Sequence, residues 1–351
     1  MVRKAVVRLD TWCDEAMEER LACERDIDLI TCERLDVAAA TVALGQAHVY
    51  QISSTRDEVP EGLLATESLV GRCPNLLCVS TSGAGFDTVD VAACTAAGIL
   101  VVNQAGGNAA AVAEHTIAMV LALSRRILES DRRLRRERGF AREELMGSDV
   151  AGKTIGLVGL GHVGARVAAL AHAFGMRVVA CDPCLTQEEI SRRGASALSL
   201  EAVLEQADFV SLHCPRNKET LGMIGAAEFG RMRKGVFFIT TARGGIHDEA
   251  ALAEALACGH LAGAAVDVWD REPPPLDHSL LASDKVIATY HTAGVTHEAR
   301  RNMAAIAAEQ IVTVLRGERP PRLVNVAAFP AFLRRFEEMI VPKACNLPLG
   351  H

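Results

Sequence analysis

Three side chains in the second half of this 351-residue chain could together move a proton and hold a small anion. Arg243 sits in Thr-Thr-Ala-Arg-Gly-Gly, Glu272 in Asp-Val-Trp-Asp-Arg-Glu-Pro, and His291 in Ala-Thr-Tyr-His-Thr-Ala-Gly. Imidazole titrates near neutral pH, so His291 can serve as general acid in one direction and general base in the other. An adjacent carboxylate, Glu272, would orient the ring and favour its protonated form. The Arg243 guanidinium can bind a substrate carboxylate and polarise a carbonyl, stabilising a developing alkoxide. Taken singly, each has an ordinary reading as a surface ion-pair partner, a polar turn residue or a hydrogen-bonded structural histidine. Their setting reverses that reading. Each follows an apolar strand-like run, Val236–Thr240, Gly263–Val268 or Val286–Thr289, and ligands of open α/β sheets bind beyond the carboxyl ends of strands.

The elements that would position them include a nucleotide loop. The stretch Lys153–Asp182 reads as a strand, a Gly-Leu-Gly-His-Val-Gly turn, a helix and a second strand ending on an acid. Gly159 permits a tight strand-to-helix turn, Gly161 lets backbone amides approach a pyrophosphate, and Gly164 lets the helix lie close to its strand. The helix start at His162 and Val163 presents free N–H groups and a positive dipole end to phosphates. Asp182 can accept from both ribose hydroxyls and would repel a 2′-phosphate, which selects NAD over NADP.

Length and composition set the outer bounds. Half the residues are hydrophobic, as expected of about two globular domains, and the net charge of −7 argues against nucleic acid as a partner. No apolar run approaches the ~20 residues a membrane helix needs, and the N-terminus lacks a signal-peptide core, so the expectation is a cytoplasmic protein without a membrane partner. The 11 cysteines are scattered. Cys181-Asp-Pro-Cys184 has C-x-x-C spacing but no second pair to complete a metal site, so a reduced thiol pool is expected and no metal.

From Thr154 onward, β-branched runs alternate with helix-period segments, the pattern of a parallel α/β sheet. Further strands are expected at Arg177–Cys181 and Phe209–His213, and helices at His162–Phe174, Leu200–Glu205, Ala226–Met232, Asp248–Cys258 and Thr296–Arg316. The first hundred residues repeat the rhythm with strands at Ala5–Leu9, His48–Ile52, Leu76–Ser80 and Ile99–Val102. Asn108–Arg138 reads as one long helix, apolar and then arginine-rich, its charged part a solvated face or subunit contact. Phe332, Phe336 and Ile340 mark an amphipathic tail helix covering the first domain or a partner.

Several ordered motifs together resemble the NAD-dependent D-2-hydroxyacid dehydrogenases of the D-3-phosphoglycerate dehydrogenase-like family. Besides the nucleotide loop they are Gly83-Ala-Gly-Phe-Asp-Thr-Val-Asp90, the segment Asn103–His115, Leu212-His-Cys-Pro215, Thr241-Ala-Arg-Gly244, Asp267-Val-Trp-Asp-Arg-Glu-Pro273 and the His291 segment. The resemblance runs from about Leu76 to Asn325. It implies a Rossmann-type doubly wound parallel-sheet domain, residues 104–293, inserted into a smaller flavodoxin-like α/β substrate domain formed by 1–103 and 294–351. It gives Arg243, Glu272 and His291 the roles argued above, in the interconversion of a 2-hydroxy and a 2-oxo acid. It also implies substrate contacts from Ala84, Gly85 and Asn108. Cofactor contacts are implied at Val112, Thr220, Thr241, Ala242 and Gly294. The same is implied for His213, Cys214 and Pro215, and for Asp267, which would accept from the nicotinamide carboxamide; His115 reads as structural. A homodimer is implied, with the helix after Asn108 at its interface.

The chain departs from that pattern at Tyr290, where the family usually has proline, and at Thr240, where many members carry asparagine. Ile52-Ser-Ser-Thr55 lies where phosphoglycerate enzymes carry arginines, and only Arg56 is near, which argues against a phosphorylated substrate. Two other classes compete. A non-catalytic NAD-sensing interaction protein, co-repressor-like, would share the fold without needing all of Arg243, Glu272 and His291. An S-adenosylmethionine-dependent methyltransferase would share the glycine-rich turn but have no use for the three.

Overall fold

The computed structural model describes residues 2–340. They form two compact units, one from residues up to Asn108 and from Thr296 onward, the other Ala109–Val295. In the first unit five parallel strands, β1 (Lys4–Leu9), β2 (Ile27–Cys32), β3 (Val49–Ser53), β4 (Cys78–Ser82) and β5 (Leu100–Val102), lie in the order β2-β1-β3-β4-β5. This is the flavodoxin-like winding, with its switch point between β1 and β3. Side chains alternate between two cores. Val7, Tyr50, Val79 and Val101 enter one with Leu44 and Leu69. Their neighbours Val6, Val49, Cys78 and Leu100 enter the other with Met17, Ile311 and Phe332.

The edge strand β2 has no counterpart among the expected strands. It pairs only with β1 and is half exposed, and Asp28 and Thr31 on it bind Arg3 and Arg8, so no apolar run betrays it. The tail helix Phe329–Ile340 lies on the first unit, with Phe332 fully buried and Arg335 donating to the Pro74 and Leu76 carbonyls at 2.9 and 3.0 Å. The rest of the tail, 341–351, is outside the described residues.

The second unit carries seven parallel strands, β6 (Thr154–Val158), β7 (Arg177–Cys181), β8 (Ser196–Ala197), β9 (Phe209–Leu212), β10 (Val236–Thr240), β11 (Leu261–Val266) and β12 (Val286–Ala288). Their order, β12-β11-β10-β9-β6-β7-β8, is the doubly wound Rossmann arrangement with its switch between β6 and β9. Helices cover both faces: Ile155, Leu157 and Ile239 pack on one side, Val158, Val210, Leu212 and Phe238 on the other. Strands buried on both faces must be apolar nearly throughout, which is why β6 and β10 coincide residue for residue with the runs read from sequence; β7 coincides too, although Arg177 at its start is exposed. β11 stops two residues early because Asp267 turns its polar groups to the segment after β12, as described below.

The expected long helix is two. Ala109–Ser124 ends, Arg126 takes a left-handed backbone with φ of 51°, and Ile127–Arg136 begins. The break has an identifiable cause. Ser148 N donates to the Ser124 carbonyl at 2.8 Å, the Ser124 hydroxyl donates back to Ser148 O at 2.7 Å, and a Cβ on Gly147 would lie 2.5 Å from that same carbonyl. The returning strand of chain takes the acceptor a continuous helix would need. Arg126 then pairs with Glu129 and donates to the Glu144 carbonyl, and the arginines beyond it pair with Asp131, Glu137, Glu144 and Asp284. The chain passes from the first unit to the second after Asn108, and Gln104, near which the crossing was expected, lies shortly before that point in the first unit. It is fully buried there, accepting from Gly83 N at 2.7 Å. On return, Thr296 caps the helix His297–Leu315 of the first unit.

His247 is buried at 1 % exposure against the Phe238 ring, and neither ring nitrogen has a hydrogen-bond partner among the described residues. Burial pushes its pKa down to about 4, against the weaker opposing pull of Asp270 and Asp248. A histidine kept neutral by folding costs nothing above the unfolded value. Below it the unfolded chain takes up a proton that the folded chain refuses, so stability falls until the folded pKa is reached. The loss approaches about 3 kcal/mol across that window. His247→Leu should therefore shrink the drop in melting temperature between pH 7 and pH 4.5 by about 5 °C. An unchanged pH slope would mean that His247 does not titrate this way.

Candidate active site

The turn after β6 shows why three glycines stand at 159, 161 and 164, each for its own reason. Gly159 has φ of 95°, and a Cβ there would meet the His213 and Cys214 backbone at 2.8 to 2.9 Å. A Cβ on Gly164 would lie 2.3 Å from the Gly159 carbonyl, so helix His162–Ala173 can sit on the turn only without one. At Gly161, which caps that helix, a Cβ would meet nothing within 4 Å. The first and third glycines are required by protein packing and the second is not. It leaves the helix N-terminus open to a ligand, with the N–H groups at His162 and Val163 free of side-chain capping.

Asp182, at the end of β7, accepts from Leu160 N at 2.8 Å through one carboxylate oxygen and from Cys184 N at 3.0 Å through the other. Each oxygen keeps capacity for a further donor, so the carboxylate can hold the turn and accept from ribose hydroxyls together. Arg193, which spacing did not bring forward, donates to the Leu160 carbonyl at 2.6 Å from the far end of the next helix. Only the fold brings a residue 33 positions away onto this turn. An open helix terminus beside an acid fits a dinucleotide.

Beyond β9, burial pushes the His213 imidazole down to about 4, so it is neutral at physiological pH; its ring shares a hydrogen bond with Ser211 at 2.9 Å. Burial pushes the Cys214 thiol up to about 11. Pro215 O accepts from the Thr220 hydroxyl at 2.6 Å, which ties this loop together. Past β10, Thr240 has a buried hydroxyl without a partner among the described residues, and Thr241 shares a hydrogen bond with Thr116 at 3.1 Å. Ala242 and Val112 are each close to fully buried, and Gly294 is half-buried.

Arg243, Glu272 and His291 all follow carboxyl ends of β10, β11 and β12 in this same unit. Glu272 Oε2 lies 2.9 Å from His291 Nδ1, and Trp269 N donates to Glu272 Oε1 at 3.1 Å. Burial raises the Glu272 pKa, but the hydrogen bond and charge of His291, then Trp269 N–H and Arg243, outweigh it, and the net shift is downward. Arg243 is half-buried and donates to the Ala242 carbonyl at 2.7 Å. His291 has φ of 46°, a left-handed backbone that costs a non-glycine residue about 1 kcal/mol or more. Tyr290 is 51 % exposed.

Asp267 explains how that backbone is kept. Fully buried, it accepts from Thr289 Oγ1 at 2.6 Å, Thr292 N at 2.9 Å and Ala293 N at 3.0 Å, while its own carbonyl accepts from His291 N at 2.7 Å. His115 joins through Thr289 Oγ1 at 3.3 Å. In the first unit, Ala84 and Gly85 follow β4. Their carbonyls accept from Asn103 and the Thr81 hydroxyl, both at 2.8 Å, and Asn108 is half-buried.

Residues 117–293 match the family model described as D-isomer specific 2-hydroxyacid dehydrogenase, NAD binding domain. A D-3-phosphoglycerate dehydrogenase from Archaeoglobus fulgidus is 42 % identical over 72 % of this chain and 48 % of its own length. A glyoxylate reductase from Korarchaeum cryptofilum is 38 % identical over 72 % of this chain and 77 % of its own. Among solved structures, a D-lactate dehydrogenase from Aquifex aeolicus, complexed with NAD and lactic acid, superposes with a TM-score of 0.78 at 27 % identity, covering 91 % of this chain and 99 % of that one. The fold, the NAD-binding module and these matches together make the chain a member of the D-isomer specific 2-hydroxyacid dehydrogenase family, with NAD as its cofactor. It spans about half the length of the D-3-phosphoglycerate dehydrogenase it matches.

Replacing Asp182 with Ser should raise the NADH dissociation constant more than the NADPH one, changing their ratio at least about ten-fold. Fluorescence titration with both dinucleotides checks this, and an unchanged ratio would place the discrimination elsewhere.

Proposed function

We propose that this chain is an oxidoreductase interconverting a D-2-hydroxy acid and its 2-oxo acid. The observation that carries the reading is the 2.9 Å contact between His291 Nδ1 and Glu272 Oε2, at the sheet end where Arg243 also emerges. With Nδ1–H donated to the carboxylate, the other ring nitrogen, Nε2, is the one left for substrate. In reduction, Nε2–H gives its proton to the 2-oxo oxygen; in oxidation, neutral Nε2 removes the proton of the 2-hydroxyl. Glu272 stabilises the imidazolium and fixes the tautomer, while Arg243 binds the substrate carboxylate and stabilises the developing alkoxide. NAD(H), when bound, supplies or accepts the hydride. Asp267 accepts from the carboxamide with the capacity its loop contacts leave.

The substrate in this proposal carries no phosphate. Ser53 hydrogen-bonds the Glu58 carboxylate, and Arg56 donates to the Asp87 carbonyl at 3.2 Å. An acid where a phosphate would need cations disfavours a dianion. A homodimer and a cytoplasmic setting belong to the same proposal. The first is supported by the exposed Ile127, Leu128 and Leu134 on the arginine-rich helix, the second by thiols that are all unpaired among the described residues.

Two measurements test the reading. His291→Ala should reduce NADH-dependent turnover of 2-oxo acids by at least about a hundred-fold with NADH binding preserved, and near-normal turnover would remove His291 from its role. Among glyoxylate, pyruvate, hydroxypyruvate and phosphohydroxypyruvate, the phosphorylated acid should have the lowest kcat/KM. If it were the best substrate, the argument from Ser53 and Glu58 would fail.

A further inference from the structure

One tryptophan touches the support of all three polar residues. The Trp269 backbone N–H donates to Glu272 Oε1 at 3.1 Å, which leaves Oε2 for His291. Its indole Nε1–H donates to the Thr289 carbonyl at 3.0 Å, two residues before His291. Its own carbonyl abuts Gly244, directly after Arg243, so closely that a Cβ on Gly244 would lie 1.9 Å from the oxygen. The indole is wedged at 4 % exposure, with the His278 ring edge-on at 5.5 Å. His278 is held in turn by Glu249 Oε2 at 2.9 Å, and the other Glu249 oxygen accepts from Asp270 N at 2.8 Å.

From this arrangement we infer that Trp269 is the positioning residue that holds His291, Glu272 and Arg243 in register for proton transfer. The inference rests on the oxidoreductase reading above. A core-filling role would need only the ring. The positioning role needs the indole N–H, because His291 has a left-handed backbone and the segment before it is held from one side by Asp267 and from the other by this donor. Without it the Thr289 carbonyl loses its partner, and the segment before the imidazole is held by Asp267 from one side only. A misplacement of ångström order costs up to about a hundred-fold in rate when the reacting atoms must be aligned.

Trp269→Phe keeps the ring and deletes the donor. In reduction of a 2-oxo acid, kcat should fall about ten-fold or more, while KM and the NADH dissociation constant stay within about two-fold. The primary isotope effect with NADH deuterated at the transferred position should rise, because the chemical step becomes more limiting. In the protein without dinucleotide, diethylpyrocarbonate should acylate His291 several-fold faster relative to the exposed His297, followed by peptide mass spectrometry. A Phe variant with the parent's kcat, isotope effect and acylation ratio would overturn the proposal. If that variant does not fold, His278→Ala, which removes the ring beneath the indole, should give the same signature more weakly, and its absence would count equally against the idea. A parent protein that reduces no 2-oxo acid would sink the oxidoreductase reading, while the acylation comparison would still decide the role of Trp269.

Discussion

The site depends on one buried carboxylate. Asp267 is removed from water just beyond the end of β11, which costs several kcal/mol unless its oxygens find donors. It finds three, from Thr289 Oγ1, Thr292 N and Ala293 N, and charge-assisted hydrogen bonds of this kind contribute about 1.5 to 3 kcal/mol each. All three donors belong to the segment carrying His291. The desolvation of one acid is thus offset only when that segment adopts a single conformation, and that conformation includes the left-handed His291. The strain at the histidine is carried by the acid beneath it.

That arrangement is available because the sheet is parallel. Parallel strands β10, β11 and β12 deliver successive loops to one edge, so residues 29 and 19 positions apart in the chain become neighbours without any long irregular excursion. The same rule operates at the switch point, where β6 and β9 diverge and the glycine turn packs directly on the His213 and Cys214 backbone. The nucleotide turn and the acid–base pair are therefore two products of one topology. Neither could be built if the strand ends were scattered over both edges.

Much of this was legible in the sequence, and the exceptions have physical reasons. Double-sided burial writes β6 and β10 as nearly uninterrupted apolar runs, and the spacing of Gly159, Gly161 and Gly164 has few other uses. By contrast β2 is an edge strand with polar partners, so its pattern looks like a loop. The break at Arg126 depends on Ser148 and Gly147, more than twenty residues downstream, and no local propensity encodes it. Arg243, Glu272 and His291 could be singled out because cation, acid and imidazole are chemically conspicuous. Trp269 and Arg193 could not, because the polar contribution of each side chain is a hydrogen bond to a carbonyl that only the folded chain brings near.

Two titrating groups of the second unit, Glu272 and His213, share a direction. Glu272 has its pKa held down by His291, so the stability it contributes is present above the unfolded carboxylate value and is lost as pH falls through the lowered folded one. His213, neutral through burial, withdraws stability as pH falls below the ordinary histidine value toward about 4. Both effects weaken the fold on the acid side and neither acts on the alkaline side. His213 lies under the glycine turn and Glu272 beside His291, so acid removes support from both the dinucleotide turn and the acid–base pair.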